Sequence, residues 1–107
     1  MKRMNDSPLS RDVRESIKKD PEYAKEFFEA ISDEPLPIQI ALLRRVSGIS
    51  QEDVASRLHV KQTHISRLEK KGSDHLLSTY ERLAKILHSK IIVVPEHYKV
   101  VPLKSLS

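Results

Sequence analysis

From Val13 to Leu87 the apolar positions recur at helical spacing, and the pattern changes only after His88. Val13 and Ile17 mark one face of a short first helix capped by Ser10, with Arg11, Asp12, Arg14 and Glu15 outward. It should end near Asp20-Pro21, because a residue before proline avoids the helical region. Asp20-Pro21-Glu22 opens a second helix. Asp caps it, Pro takes the first helical position, and Glu22 complements the positive end of the dipole. Ala24, Phe27, Phe28 and Ile31 fall at i, i+3, i+4 and i+7, and this stripe is read as core. Ser32-Asp33-Glu34-Pro35-Leu36-Pro37 breaks the pattern. A third helix from Pro37 carries Ile38, Ile40, Ala41, Leu42, Leu43 and Val46 and stops at Ser47-Gly48. Ser50 caps a fourth, with Val54, Ala55 and Leu58 inward. Lys61 to Lys71 predicts a fifth, with Ile65 and Leu68 inward and Gly72 as its stop. Leu76 to His88 predicts a sixth, with Leu76, Leu77, Tyr80, Leu83, Ala84 and Leu87 apolar. Lys90-Ile91-Ile92-Val93-Val94 is β-branched and short, which predicts a strand. Pro95-Glu96-His97 is a turn, Tyr98 to Val101 a possible second strand, and Pro102 to Ser107 a frayed tail. The fold class is therefore mainly α, with five or six helices and one or two short C-terminal strands. Three segments follow: a helical extension over 1–35, a helical domain over 36–89, and strands with a tail over 90–107.

The stretch from Ser50 to Gly72, SQEDVASRLHVKQTHISRLEKKG, carries the functional signal. Two short helices are joined by a tight turn at His59-Val60. Val54, Leu58, Val60, Ile65 and Leu68 form the inward set, and Ala55 is small where the helices must approach. That leaves Gln62, Thr63, Ser66, Arg67 and Lys70 on the outer face of the second helix. This is helix-turn-helix geometry, in which the second helix enters the major groove of double-stranded DNA. Gln62 can pair bidentately with adenine, and Thr63 can bond a base edge or touch a thymine methyl. Ser66 shares that face, and Arg67 reaches guanine or a phosphate. Ser50 and Gln51, at the start of the preceding helix, suit a phosphate oxygen. Lys61, His64, Lys70 and Lys71 are further phosphate candidates, with His75 beyond Gly72. Arg44 and Arg45 are read as solvated charges and second-rank phosphate contacts.

Composition narrows the alternatives. The chain has 107 residues, 38% of them hydrophobic, so one domain with its own core is expected. It has no Cys, which excludes a disulfide framework, a thiol nucleophile and Cys-ligated metal. The five His residues show no metal-ligand spacing, and no nucleophile motif or Gly-rich phosphate loop is present. No enzyme activity, no metal and no cofactor are therefore expected. No apolar run approaches a membrane span, and the start lacks the apolar stretch of a signal peptide, so cytoplasmic residence away from membranes is the expectation. The formal net charge is +4, from 19 Lys+Arg against 15 Asp+Glu. Residues 1–35 hold seven Lys/Arg and nine Asp/Glu, while the rest of the chain holds twelve and six. A basic body suits a polyanion partner. Tyr23 and Glu26 sit off the apolar stripe of the second helix and are candidates for a protein-partner surface. The β-branched run Ile91, Ile92, Val93 and Val94 needs a pairing edge. A symmetry-related strand in a homodimer is the favoured partner, with a local hairpin or a strand offered to a different protein as the alternatives.

Two resemblances follow from these residues. Pro37 to Leu87, with SQEDVASRL, a short turn and QTHISRLEKKG, resembles the Xre-type, lambda-repressor-like helix-turn-helix family over about half the chain. That resemblance implies phosphate contact by Gln51 and base contact by Gln62, Thr63, Ser66 and Arg67. His59 stands where that family usually has Gly, and His tolerates a positive φ better than most side chains. The block DPEYAKEFFEAI, followed by a helix, the helix-turn-helix and a closing strand, is similar to the HigA-like antitoxins of toxin–antitoxin modules. This second similarity implies two roles. One is neutralising a small basic RelE/HigB-like mRNA endonuclease toxin, for which the off-stripe Tyr23 and Glu26 are the candidate surface. The other is repressing the chain's own operon as a homodimer on a palindromic operator. An Xre-type repressor with no toxin partner is the alternative.

Overall fold

A computed structural model of the chain describes residues 8–95, and six helices lie among them. They are α1 (Pro8–Lys19), α2 (Pro21–Ile31), α3 (Leu36–Val46), α4 (Gln51–Leu58), α5 (Gln62–Leu68) and α6 (Leu77–Ile86). Asp20 caps α2 as its sequence requires, its carboxylate accepting from the backbone N–H of Glu22 at 3.0 Å and Tyr23 at 3.3 Å. Ser50 caps α4, its hydroxyl accepting from the N–H of Asp53 at 3.0 Å. Three helices end in the same closing turn. The pairs Gly48 N–H to Arg45 and Ile49 N–H to Arg44 close α3, His59 to Ser56 and Val60 to Ala55 close α4, and His88 to Lys85 and Ser89 to Ala84 close α6. Each places a left-handed residue just past the helix, the Schellman arrangement. Gly48 fills that position in α3 (φ 76°), but His59 (φ 58°) and His88 (φ 54°) fill it in the others. The positive φ expected at His59 is therefore present.

The core is built by α3 to α6. Ile40, Val54, Ala55, Ile65, Leu68, Tyr80, Leu83 and Ala84 form one buried cluster, with Leu36, Ile49, Leu58, Ile86 and Ile91 packed on it. The buried Tyr80 hydroxyl donates to the Leu68 carbonyl at 2.9 Å, tying α6 to the end of α5. α1 packs on both α2 and α3.

Several expectations are corrected. α2 buries none of its residues. Phe27 is half-buried and Phe28 is 41% exposed, their rings edge-to-face at 5.4 Å. The stripe is real, but α2 packs mainly on α1, whose described apolar side chains, Val13 and Ile17, make a narrow face. Val60, read as inward, is exposed because the left-handed turn at His59 points it away from the core. Leu76 caps α6 and is 75% exposed, and Leu77 is exposed beside it. α5 ends at Leu68, so Lys70 and Lys71 lie in the following turn and not on the helix. The strand expected over Lys90 to Val94 is absent: residues 89–95 are irregular. After the turn at His88, Ile91 packs back on the core, while Ile92, Val93 and Val94 are exposed. Among the described residues this β-branched run has no ladder to join. The second strand expected over 98–101 and the tail over 102–107 lie outside the described residues.

Candidate nucleic-acid interface

α4 and α5 pack closely around Val54, Ala55, Ile65 and Leu68, and this sets what α5 can present. With Ile65 and Leu68 fully buried, Gln62, Thr63 and Arg67 are exposed on its outer side, and His64 and Ser66 are half-buried. The base-reading set named from sequence thus lies on one short helix with its polar face outward. Lys61, Lys70 and Lys71 are exposed around its two ends. Ser50 is buried beneath, its oxygen engaged in capping, so Gln51 is the more accessible of that pair. Glu52 and Asp53 complement the α4 dipole in the same turn.

The side chains at this surface are joined to the interior. The Gln62 amide donates to the Gln51 side-chain oxygen at 3.3 Å, and the Gln51 amide donates to Glu69 Oε1 at 2.9 Å. Glu69 is 8% exposed, and its counter-ion is Arg44, 2% exposed. Arg44 Nε donates to Glu69 Oε2 at 2.6 Å and Nη2 donates to Oε1 at 3.0 Å, a two-pronged pairing. The remaining nitrogen, Nη1, donates to the Ile49 carbonyl at 2.8 Å. A buried ion pair therefore anchors Gln51, and Gln51 in turn accepts a longer, exposed hydrogen bond from Gln62 at the front of α5.

Arg44 corrects the sequence reading, which left it in solvent. Its spacing carried the signal. Pro37, Ile40, Ala41 and Arg44 fall on the buried stripe of α3 at i, i+3, i+4 and i+7, and Glu69, the C-cap of α5, continues the buried stripe of Ile65 and Leu68. Opposite charges on two inward stripes are a signature of a buried pair, and Glu69 was not singled out at all.

The loop after α5 brings His75 beside the helix. Its ring meets His64 edge-to-face at 6.0 Å and Tyr80 at 6.5 Å, and its Nδ1 lies 2.6 Å from the Ser73 hydroxyl. Tyr23 (half-buried) and Glu26 (exposed) stand on α2, an element apart from α5. Among the described residues no group of three or more His, Asp or Glu side chains is placed to hold a metal ion, and no helix is long and apolar enough to cross a membrane.

Comparison with known proteins agrees with this geometry. Residues 36–89 match the helix-turn-helix domain family. Two curated relatives, both named Antitoxin HigA1, come from Mycobacterium tuberculosis strains CDC 1551 / Oshkosh and ATCC 25618 / H37Rv. Each is 34% identical over 95 residues, covering 85% of this chain and 64% of the relative. The chain thus spans somewhat less than two thirds of the length of these relatives. No solved structure matches.

Proposed function

Because the chain belongs to the helix-turn-helix domain family, whose members are typically DNA-binding regulators and not enzymes, we propose that it reads double-stranded DNA with α5 and represses its own operon. Gln62, Thr63, Ser66 and Arg67 meet base edges in the major groove, and Gln51, Lys61, His64, Lys70 and Lys71 hold phosphates, while Ser50, buried as the α4 cap, does not. The observation that carries this reading is the Gln62–Gln51–Glu69 chain of hydrogen bonds. It holds two long, flexible side chains in one place before DNA arrives. Ordering them in advance lowers the entropic cost of binding. The reader acts as a homodimer on a palindromic operator, with the exposed run Ile92, Val93 and Val94, next to Ile91, as the dimer contact.

The similarity to two antitoxins supports the second half of the proposal. The chain neutralises a small basic endonuclease of the RelE/HigB kind through α2, where Tyr23 and Glu26 stand clear of the DNA face. Each adjacent small reading frame is induced alone and with this chain, and surviving cells are counted. A toxic neighbour rescued by the chain, even with Gln62 and Arg67 replaced by Ala, is the expected result. No toxic neighbour would leave a repressor without a toxin. The DNA half is tested separately by salt. About six phosphates neutralised per dimer give a slope of log K on log[salt] near −5, and a flat response would remove the DNA reading.

A further inference from the structure

The hydrogen-bond chain that ends at Gln62 does not begin at Arg44. Arg44 Nη1 holds the carbonyl of Ile49, the last residue of the turn that closes α3. The residue before it, Gly48, has φ 76°, and the face where a Cβ would stand is occupied by the guanidinium of Arg14 from α1. A Cβ there would meet Arg14 Nη1 directly and lie 3.3 Å from Cζ. Gly48 thus takes the left-handed backbone without the strain a Cβ adds, and leaves room for the Arg14 guanidinium. Arg14 itself is half-buried in the contact between α1 and α3.

We propose that Arg14 is a positioning residue for DNA readout, acting from α1 through the Gly48-Ile49 turn, Arg44, Glu69 and Gln51 upon Gln62. This rests on the reading of α5 as the DNA-facing helix. The chain of contacts is continuous: guanidinium on Gly48, Ile49 carbonyl to Arg44 at 2.8 Å, Arg44 to Glu69 at 2.6 Å, Glu69 to Gln51 at 2.9 Å, Gln51 to Gln62 at 3.3 Å. Its middle members are buried, so water does not replace a link that shifts. Its first member sits on α1, outside the buried cluster that α3 to α6 build. Among the described side chains of α1 the apolar ones, Val13 and Ile17, are both half-buried, so its docking opens at a lower free energy than the core does. A docked α1 holds the turn and with it the Arg44 guanidinium, while an undocked α1 releases the turn. A protein bound on α1 and α2 that prefers one of these states then changes DNA readout without touching α5.

The test uses the full chain with Arg14→Ala and Arg14→Lys, each alone and combined with Gln62→Ala. The preferred sequence is found by selection from random DNA, and affinities are measured on it and on its single-base variants. Thermal melting verifies that each variant is folded. Arg14→Ala is expected to lower discrimination at the base read by Gln62 by at least about threefold, within the range of measured long-range coupling. Arg14→Lys keeps the charge but not the planar fork, and is expected to lose discrimination likewise. In the Gln62→Ala background neither change has a further effect. Equal weakening on all sequences, restoration by Lys, or additive losses would each overturn the proposal, because they report charge alone or independent sites. A readout without DNA separates this proposal from the DNA reading itself. The side-chain amide resonances of Gln51 are expected to move in Arg14→Ala, and unchanged resonances would break the chain even if α5 reads DNA. If selection returns no sequence, the DNA reading fails while the amide measurement still decides the coupling.

Discussion

Replacing Glu69 by Leu should unfold this protein far more readily than its small volume change suggests. Arg44 makes three hydrogen bonds, two to Glu69 and one to the Ile49 carbonyl, from a site 2% exposed to water. Glu69→Leu leaves a buried guanidinium with one neutral acceptor. Removing one partner of a buried pair costs about 3–5 kcal/mol. For a domain of this size each kcal/mol lowers Tm by about 4–8 °C, so a fall of more than about 12 °C is expected. The double variant Arg44→Met, Glu69→Leu removes both charges and fills the space with apolar side chains. Such replacements are often neutral in stability. The Ile49 carbonyl and the Gln51 amide each lose a partner, worth about 1 kcal/mol apiece. The double variant should therefore recover to within about 2 kcal/mol of the parent, by the same hydrogen-bond magnitude. Circular dichroism during heating reads both changes. DNA affinity gives the second axis. The double variant has the parent's net charge, so its salt slope stays the same. Gln51 has lost its anchor, however, and affinity for the preferred sequence falls about three- to tenfold, the size of one lost hydrogen bond. A Glu69→Leu cost below about 1 kcal/mol, or a double variant no more stable than the single, would refute the account of the pair as a buried, mutually dependent unit.

Gln62→Ala should cost about 1–3 kcal/mol on the preferred site and relax preference at one position per half-site, measured by fluorescence anisotropy against single-base variants. Uniform weakening would move the readout elsewhere. Lys71→Ala should weaken all sequences alike and lower the salt slope by about 1, and loss of preference at one base would contradict its phosphate role. Tyr80→Phe deletes the hydroxyl that donates to the Leu68 carbonyl at 2.9 Å. It should cost about 1 kcal/mol or more, since the carbonyl is left buried without that donor, and an unchanged denaturant midpoint would count against the bond. His59→Gly relieves a left-handed conformation that a Cβ disfavours, and should raise stability by up to about 1 kcal/mol. A lowered Tm would show that the imidazole contributes more than its backbone strain removes.

The elements legible in the sequence are those whose signals are local. Asp20-Pro21 and Ser50 announce helix starts through short-range hydrogen bonds, and the structure contains those bonds. Ile40, Val54, Ile65 and Leu83 announce a core by period. What the sequence left illegible depends on partners distant along the chain. Phe27 and Phe28 keep a helical period whether their stripe meets a broad surface or the narrow one that α1 offers. Ile92 to Val94 keep strand character whether or not an edge is near.

Arg44 and Glu69 are the instructive case, because here period and chemistry disagreed. Their spacing put both on inward stripes, and their charges argued for solvent. The period won because each charge found the other across 25 residues of sequence, a pairing that only the fold creates. Such a pair adds little net stability over apolar residues of the same volume. Stability alone therefore does not account for it. The pair also supplies an acceptor: an apolar pair would fill the same space but offer none to Gln51, which in turn accepts from Gln62. The ion pair is inside the protein, yet its consequence reaches the surface, in where the Gln51 amide stands and what its oxygen offers to Gln62.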